Sequence, residues 1–147
     1  MTDSTKSRLP IEKRCRTEIE DLHQFFEGWL SGKRPNTESA FERAEKALGP
    51  DFQLIHPSGE WRDREEILNG LRQAHRSQPG LDIEIRDVRL RASGEDLVLA
   101  TYEEWQRSGR GLDRRLSTVA FHPGERVPNR LRWAHAHETW IQGPEEP

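Results

Sequence analysis

Leu131-Arg132-Trp133-Ala134-His135-Ala136-His137-Glu138-Thr139-Trp140-Ile141 is the stretch whose reading decides the fold. At a period of two, Leu131, Trp133, His135, His137, Thr139 and Ile141 share one face of a strand. Arg132, Ala134, Ala136, Glu138 and Trp140 then share the other. A solvated edge strand does not normally carry two Trp, and a fully buried one does not carry His-x-His and a Glu. The segment therefore reads as a central strand with both faces occupied, at least one of them partly polar. Strands look like this when they line a pocket or an interface. It comes late in the chain, so the earlier elements can pack onto it.

Working back from that strand, alternation continues. Leu97 to Arg107 puts Leu97, Leu99, Thr101, Glu103 and Trp105 on one face, and Val98, Ala100, Tyr102 and Glu104 on the other. Arg115–His122 makes a further strand, reached through the Gly109-Arg110-Gly111 loop. Before these, Leu81, Ile83 and Ile85 are apolar at odd positions, and Val88 and Leu90 at even ones. A parity change inside one strand predicts a bulge, and bulges curve a sheet.

The first half of the chain is helical in pattern. Ile19, Leu22, Phe26 and Trp29, widened by Phe25 and Leu30, predict a helix from Thr17, with Thr17 and Glu20 as a capping box and Gly32 as its stop. A shorter helix follows over about Thr37–Leu48, ended by Gly49-Pro50. After a strand at Asp51–His56 comes Trp61, and Asp63 with Glu66 boxes the start of a third helix through Ile67, Leu68, Leu71 and His75. Three helices and then a curved antiparallel sheet is an α+β layout. The reading gives one domain over residues 17–142, with flexible tails at 1–16 and 143–147.

Composition limits what such a domain does. The chain has 147 residues, enough for one core, but only 32% are hydrophobic and 33% are charged. Five Trp must therefore supply much of that core. The net charge of -3, with acids and bases interleaved, offers no electrostatic case for nucleic acid or an anionic membrane. A single cysteine, Cys15, permits no internal disulfide. No apolar run approaches the roughly 18 residues of a membrane span, and no secretion signal is visible. The expectation is a soluble, cytoplasmic protein.

The order helix, short helix, strand, Gly59-Glu60-Trp61, helix, then long strands ending in Leu131-Arg132-Trp133-Ala134-His135-Ala136-His137 resembles the nuclear transport factor two-like superfamily. Within it, the SnoaL-like branch and the association domain of calcium/calmodulin-dependent kinase II are the most similar. The resemblance covers about Thr17 to Ile141, with Ser93-Gly94-Glu95-Asp96 and the strand after it as a second specific piece. It implies a cone with a pocket at its wide end and a sheet whose outer face pairs with a second subunit. The arginines that line the kinase association domain's pocket fall, without gaps, on Glu103, Val119 and Glu138. The Asp, Tyr and Asp of ketosteroid isomerase-like members cannot be placed, since Tyr102 is the single Tyr. The fold hosts isomerases, dehydratases, cyclases and dimerisation modules, so it does not name the function.

The candidate site residues are Glu103, Glu138, Trp140, Tyr102, Trp61, His56, His135 and His137. Carboxylates on a half-buried sheet need a partner, a ligand or a raised pKa, which singles out Glu103-Glu104 and Glu138. Arg115, Arg132 or a nearby His would be their ordinary partners. If Ala134, Ala136, Glu138 and Trp140 face into the cone, Glu138 stands at the pocket wall with Glu103 beside it, and one of the two titrates high. Trp133, His135 and His137 then face a dimer partner. His135 and His137 stand about 6–7 Å apart and could take zinc with His56 or Glu103, but no spacing fixes a third ligand. The reading is therefore no metal and no cofactor, and no known catalytic set transfers. The partners expected are a second copy, giving a homodimer, and a small-molecule ligand. The function reading is a small-molecule-binding pocket, of lyase or isomerase type if it is catalytic. The alternative is a non-catalytic dimerisation or association module.

Overall fold

The computed structural model describes residues 9–142, so the stretches 1–8 and 143–147 lie outside the described residues. Helix α1 runs Ile11–Ser31, α2 Glu38–Ala47 and α3 Arg64–Gln73. The strands are β1 Leu48–Ile55, β2 Trp61–Asp63, β3 Asp82–Ser93, β4 Val98–Ser108, β5 Gly111–Pro123 and β6 Leu131–Trp140. A short 3-10 turn at Pro128–Arg130 leads into β6. All six strands form one sheet in the order β2-β1-β6-β5-β4-β3. The layout is the expected α+β cone. One detail differs: β1 pairs with β6 in parallel, while the other pairings are antiparallel.

Helix α1 begins six residues before Thr17. Ile11, Cys15 and Ile19 recur at helical spacing, and Cys15 and Ile19 are buried. Pro10 occupies the cap without a side-chain hydrogen bond, so the expected Thr17–Glu20 box does not form. Pro fits this place because the first helical N–H groups have no partner inside the helix. The far end behaves as read. Gly32 takes φ 87, its N–H bonds to the Trp29 carbonyl, and a Cβ there would strike the Arg76 side chain. Thr37 caps α2 by accepting from the Ala40 N–H, and Asp63 with Glu66 forms the full capping box of α3.

Bulges set the curvature. Arg86 pairs with Glu103 and Arg89 with Thr101, leaving one extra residue on β3, where Asp87 sits at φ 56. A second extra residue lies between Leu90 and Ala92. A third falls on β6, because Ala120 pairs with His135 but Phe121 with Trp133, so Ala134 has no opposite number. That bulge changes which residues of the deciding strand face inward. Leu131 and Trp133 point into the core before it, and Ala136 and Glu138 after it. Trp133, expected at a dimer face, is instead 2% exposed inside the cone.

The core joins Phe25, Trp29 and Phe41 from the helices to Val98, Val119, Phe121 and Trp133 from the sheet. Burying an aromatic or branched side chain stabilises by about 1.5–3 kcal/mol each, which suits a chain with few apolar residues. One buried carboxylate belongs to this frame. Glu18, 0% exposed, accepts from Arg43 Nη2 at 2.7 Å, Asn129 Nδ2 at 2.8 Å and Trp133 Nε1 at 2.8 Å. It ties α1 to α2, to the turn before β6 and to β6 itself. Where β1 passes the start of β6, a Cβ on Gly49 would lie 3.0 Å from the Trp133 carbonyl oxygen, so a larger residue would force the strands apart. No helix of the described residues is long and apolar enough to cross a membrane.

Candidate functional site

Between α1 and the inner face of the sheet lies a cavity of about 80 Å³. Phe26 of α1, Phe52 and Leu54 of β1, Ile67 of α3 and Trp133 and Ala136 of β6 give it apolar walls. Three polar side chains meet it: His23, Tyr102 and Glu138. Register explains the last two, since Tyr102, Ser117 and Glu138 lie side by side across β4, β5 and β6. His23 comes from the buried stripe of α1, one turn after Ile19.

The charges of this cluster are set by its geometry. His23 Nδ1 lies 2.7 Å from the Ile19 carbonyl, which can only accept, so Nδ1 carries a hydrogen. Nε2 lies 3.2 Å from Glu104 Oε1 and 3.4 Å from the Tyr102 hydroxyl. A proton on Nε2 makes the carboxylate contact attractive, and the imidazole is then a cation. Burial lowers the His23 pKa, but the Glu104 charge and hydrogen bond outweigh it, and the net displacement is upward. For Glu104, burial works to raise the pKa, yet His23, Arg115 and a hydrogen bond from Gln106 Nε2 (2.6 Å) hold it at about 2. Glu138 moves the other way. Burial and the Glu104 charge raise it, while Arg115, whose Nη1 donates to Glu138 Oε1 at 3.1 Å, pulls it back in part. Burial, with the charges of Glu104 and Glu138, drives the Tyr102 hydroxyl well above its ordinary value.

Neighbouring acids whose pKa values are pushed apart are the usual basis for dividing acid and base roles in a site. Here Glu104 stays ionised, His23 is its cation, and Glu138 is the carboxylate nearest to holding a proton. Such a set can hydrogen-bond hydroxyl or carbonyl groups and transfer a proton at short range.

The structure gathers some of the residues singled out in the sequence and separates others. Glu138 and Tyr102 stand in the cluster. Trp140 is the next inward position of β6, 37% exposed, with the Arg115 guanidinium 4.8 Å above its ring. His56 lies beside Trp140, ring centres 5.8 Å apart, and its Nδ1 meets the Ser58 hydroxyl. Burial, then Arg115 and Arg62, lowers the His56 pKa. Trp61 is 60% exposed at the β2 edge, 6.2 Å from the His135 ring.

Glu103, His135 and His137 are on the outer face. Glu103 accepts from Trp105 Nε1 at 3.0 Å, and that indole is covered by the Arg86 guanidinium at 3.7 Å. The carboxylate neighbouring Glu138 is thus Glu104, one residue along and on the opposite face of β4. Burial and the charge of Glu104, rather than of Glu103, are what raise the Glu138 pKa. His23 and Glu104 are the site residues that the sequence reading does not place there. A His in the apolar stripe between Ile19 and Phe26 was the available signal for the first. Among the described residues, no group of three or more His, Cys, Asp or Glu side chains is placed to hold a metal ion.

A solved nuclear transport factor two-like protein of unknown function from Pseudomonas aeruginosa superposes with a TM-score of 0.80 at 32% identity, covering 88% of this chain and 99% of that one. The CaMKII hub of S. rosetta superposes at 0.68 with 11% identity, covering 88% and 95%, a likeness of fold alone. The fold is therefore nuclear transport factor two-like. Sucrose-phosphatase 1 of Nicotiana tabacum is 29% identical over 129 residues, 86% of this chain and 30% of that protein. The chain spans about 30% of the length of the curated relatives it matches. The family model described as sucrose-6-phosphate phosphohydrolase C-terminal matches residues 15–142, and the chain belongs to that family.

Proposed function

We propose that this chain is a homodimeric domain that binds one end of a small, neutral, hydroxylated molecule at the cavity between α1 and the sheet. The observation that carries this is the convergence of His23, Tyr102 and Glu138 on an apolar cavity, with Glu104 and Arg115 holding their charges from behind. Apolar walls with a few converging polar groups are what small-molecule sites are made of. The volume, about 80 Å³, is well below the roughly 300–1,000 Å³ of a complete ligand pocket. It is equivalent to about two or three waters at ~30 Å³ each, so it admits a hydroxymethyl or carbonyl group while the rest of the ligand lies outside. The acids and bases are already paired, which favours a neutral group over an ion. The curated relatives are named as sucrose-phosphatases, so sugars are the first class to test. Proton transfer between that group and Glu138 or His23 is the chemistry these residues would carry if the domain is an isomerase or lyase.

Self-association is supported by the outer face of the sheet. All three helices lie on the inner side, while Leu116, Thr118, His137 and Thr139 are exposed together across β5 and β6. A sheet face of this kind suits a second copy. The small cavity favours a second reading, in which association is the whole function and the polar cluster only specifies the core.

Thermal shift with sucrose, glucose, fructose and dihydroxyacetone separates the two. A ligand at about 100 times its Kd adds about 2.7 kcal/mol, or about 5–10 °C for a chain of this size. The gain should vanish in Glu138→Gln and Tyr102→Phe. No shift from any of the four leaves association alone.

A further inference from the structure

A second cavity, outside the cluster just described, lies between the first turns of α1 and the turn that leads into β6. Its volume is about 580 Å³, within the range of small-molecule sites. Two guanidinium groups line it, Arg14 of α1 and Arg130 of the turn, and among the described residues neither forms a salt bridge. Arg14 Nε and Nη2 donate to the carbonyls of Asn129 (3.2 Å) and Arg130 (3.0 Å), which fixes the fork and leaves Nη1 without an acceptor among the described residues. The remaining walls are Leu9, Val127 and Pro128, with Thr17 as a hydroxyl and Glu125 as the one carboxylate.

The turn itself is built with care. Asn129 and Arg130 are consecutive non-glycine residues at φ 55 and 59, a conformation that persists only where the surroundings impose it. The surroundings are the Arg14 fork on their carbonyls and the buried Glu18 carboxylate, which accepts from Asn129 Nδ2. This holds Arg130 beside Arg14 as like charges in one cleft. Burial, and then the Arg130 charge, lower the Arg14 pKa, and among the described residues Glu125 is the one carboxylate lining the cleft. An anion between the two guanidinium groups would add a second counter-charge through charge-assisted hydrogen bonds.

We propose that this cleft binds a small organic anion, its phosphate or carboxylate head between Arg14 and Arg130 and its apolar body against Leu9, Val127 and Pro128. The site is independent of the His23–Glu138 cavity. Glu125 opposes the anion and limits its affinity.

The test is calorimetric titration of the full chain at low and at physiological salt with phenyl phosphate, benzoate, inorganic phosphate and benzyl alcohol. Phenyl phosphate or benzoate should saturate, more tightly at low salt, and whichever binds more tightly identifies the head group. Benzyl alcohol should not bind. Arg130→Gln should weaken binding by about tenfold or more, as expected for a lost charge-assisted pair, without changing the melting temperature. Glu125→Gln should tighten it, and Glu138→Gln should leave it unchanged. The proposal is overturned if neither organic anion saturates by about 10 mM, if inorganic phosphate binds as tightly as phenyl phosphate, or if Arg130→Gln binds like wild type.

Discussion

Replacing Glu104 with Gln tests the central pair directly, because it keeps the shape and the Gln106 contact while removing the charge. In the fold the Glu104 pKa falls from 4.5 to about 2. At ~1.36 kcal/mol per pH unit this corresponds to about 3 kcal/mol of stability at pH above 4.5. Glu104 is 4% exposed, so solvent screens little of it. The window has two edges. The Glu104 contribution is present above pH 4.5 and lost as pH falls toward 2. The His23 contribution, whose folded pKa is raised, is present below 6.5 and lost as pH rises through that raised value. Between about pH 4.5 and 6.5 both members of the pair carry their charges. In the Gln variant His23 loses the charge that chiefly raises its pKa, and the stability of the variant no longer follows this pattern. Urea unfolding followed by Trp fluorescence, at several protein concentrations to separate dimer dissociation, should show a loss of about 3 kcal/mol near pH 5.5. That is about 6–12 °C in Tm, and the loss should shrink at pH 9. A loss below about 1 kcal/mol, or one that is constant from pH 5 to 9, refutes the assignment of a charged pair.

Three further outcomes follow from individual contacts. Glu138→Gln should become more stable relative to wild type as pH rises from 4.5 through the raised Glu138 pKa, because the wild-type carboxylate ionises there against burial and the Glu104 charge; parallel denaturation curves at pH 4 and 7 measure it. Asp63→Ala should cost about 1 kcal/mol by removing the acceptor for the Glu66 N–H at the start of α3, read as a lower urea midpoint with an unchanged slope. Leu116→Glu places a charge in the middle of the exposed outer face, and light scattering at tens of micromolar should report a dimer for wild type and a monomer for the variant.

Local chemistry made much of this fold legible in the sequence. The parity change from Ile85 to Val88 marked the β3 bulge because its two halves have apolar residues on clearly different phases. The β6 bulge left no such mark. Leu131, Trp133, Ala134 and Ala136 are apolar on both parities, so no phase break locates the extra residue, and the inward place of Trp133 emerges only from pairing with Phe121. Glu103 and Glu104 posed the same difficulty, since Leu99 and Ala100, Thr101 and Tyr102 make either face of β4 plausible. The early start of α1 was hidden by Glu12, Lys13, Arg14 and Arg16, which leave only Ile11 and Cys15 apolar there, and its inner stripe was blurred further on by two polar residues in buried roles, Glu18 and His23. A buried carboxylate breaks an apolar stripe on paper, yet in the fold three donors satisfy it. The candidate site consists mainly of such residues, whose cost of burial is offset by partners distant in sequence, and spacing carries no record of those partners.

The outer histidines provide the remaining prediction. His135 pairs with Ala120 of β5 and Gln53 of β1, and His137 with Thr118 and Ile55. Cross-strand neighbours share a face, so both imidazoles stand among uncharged residues on the side away from the helices. Glu103 on β4 is two strands away and already accepts from Trp105, and His137 is exposed in the single chain. If this face pairs with a second copy, each imidazole enters the interface together with its symmetry mate. A fixed charge in that layer meets its symmetry mate with little water to screen it. In His137→Glu dimer dissociation should therefore increase, by about tenfold in Kd for each ~1.4 kcal/mol of repulsion, whereas His137→Gln, of similar size and uncharged, should dissociate like the wild type. Sedimentation of the three proteins in one neutral buffer measures this. Dissociation of His137→Glu equal to that of the wild type places the interface elsewhere on the molecule.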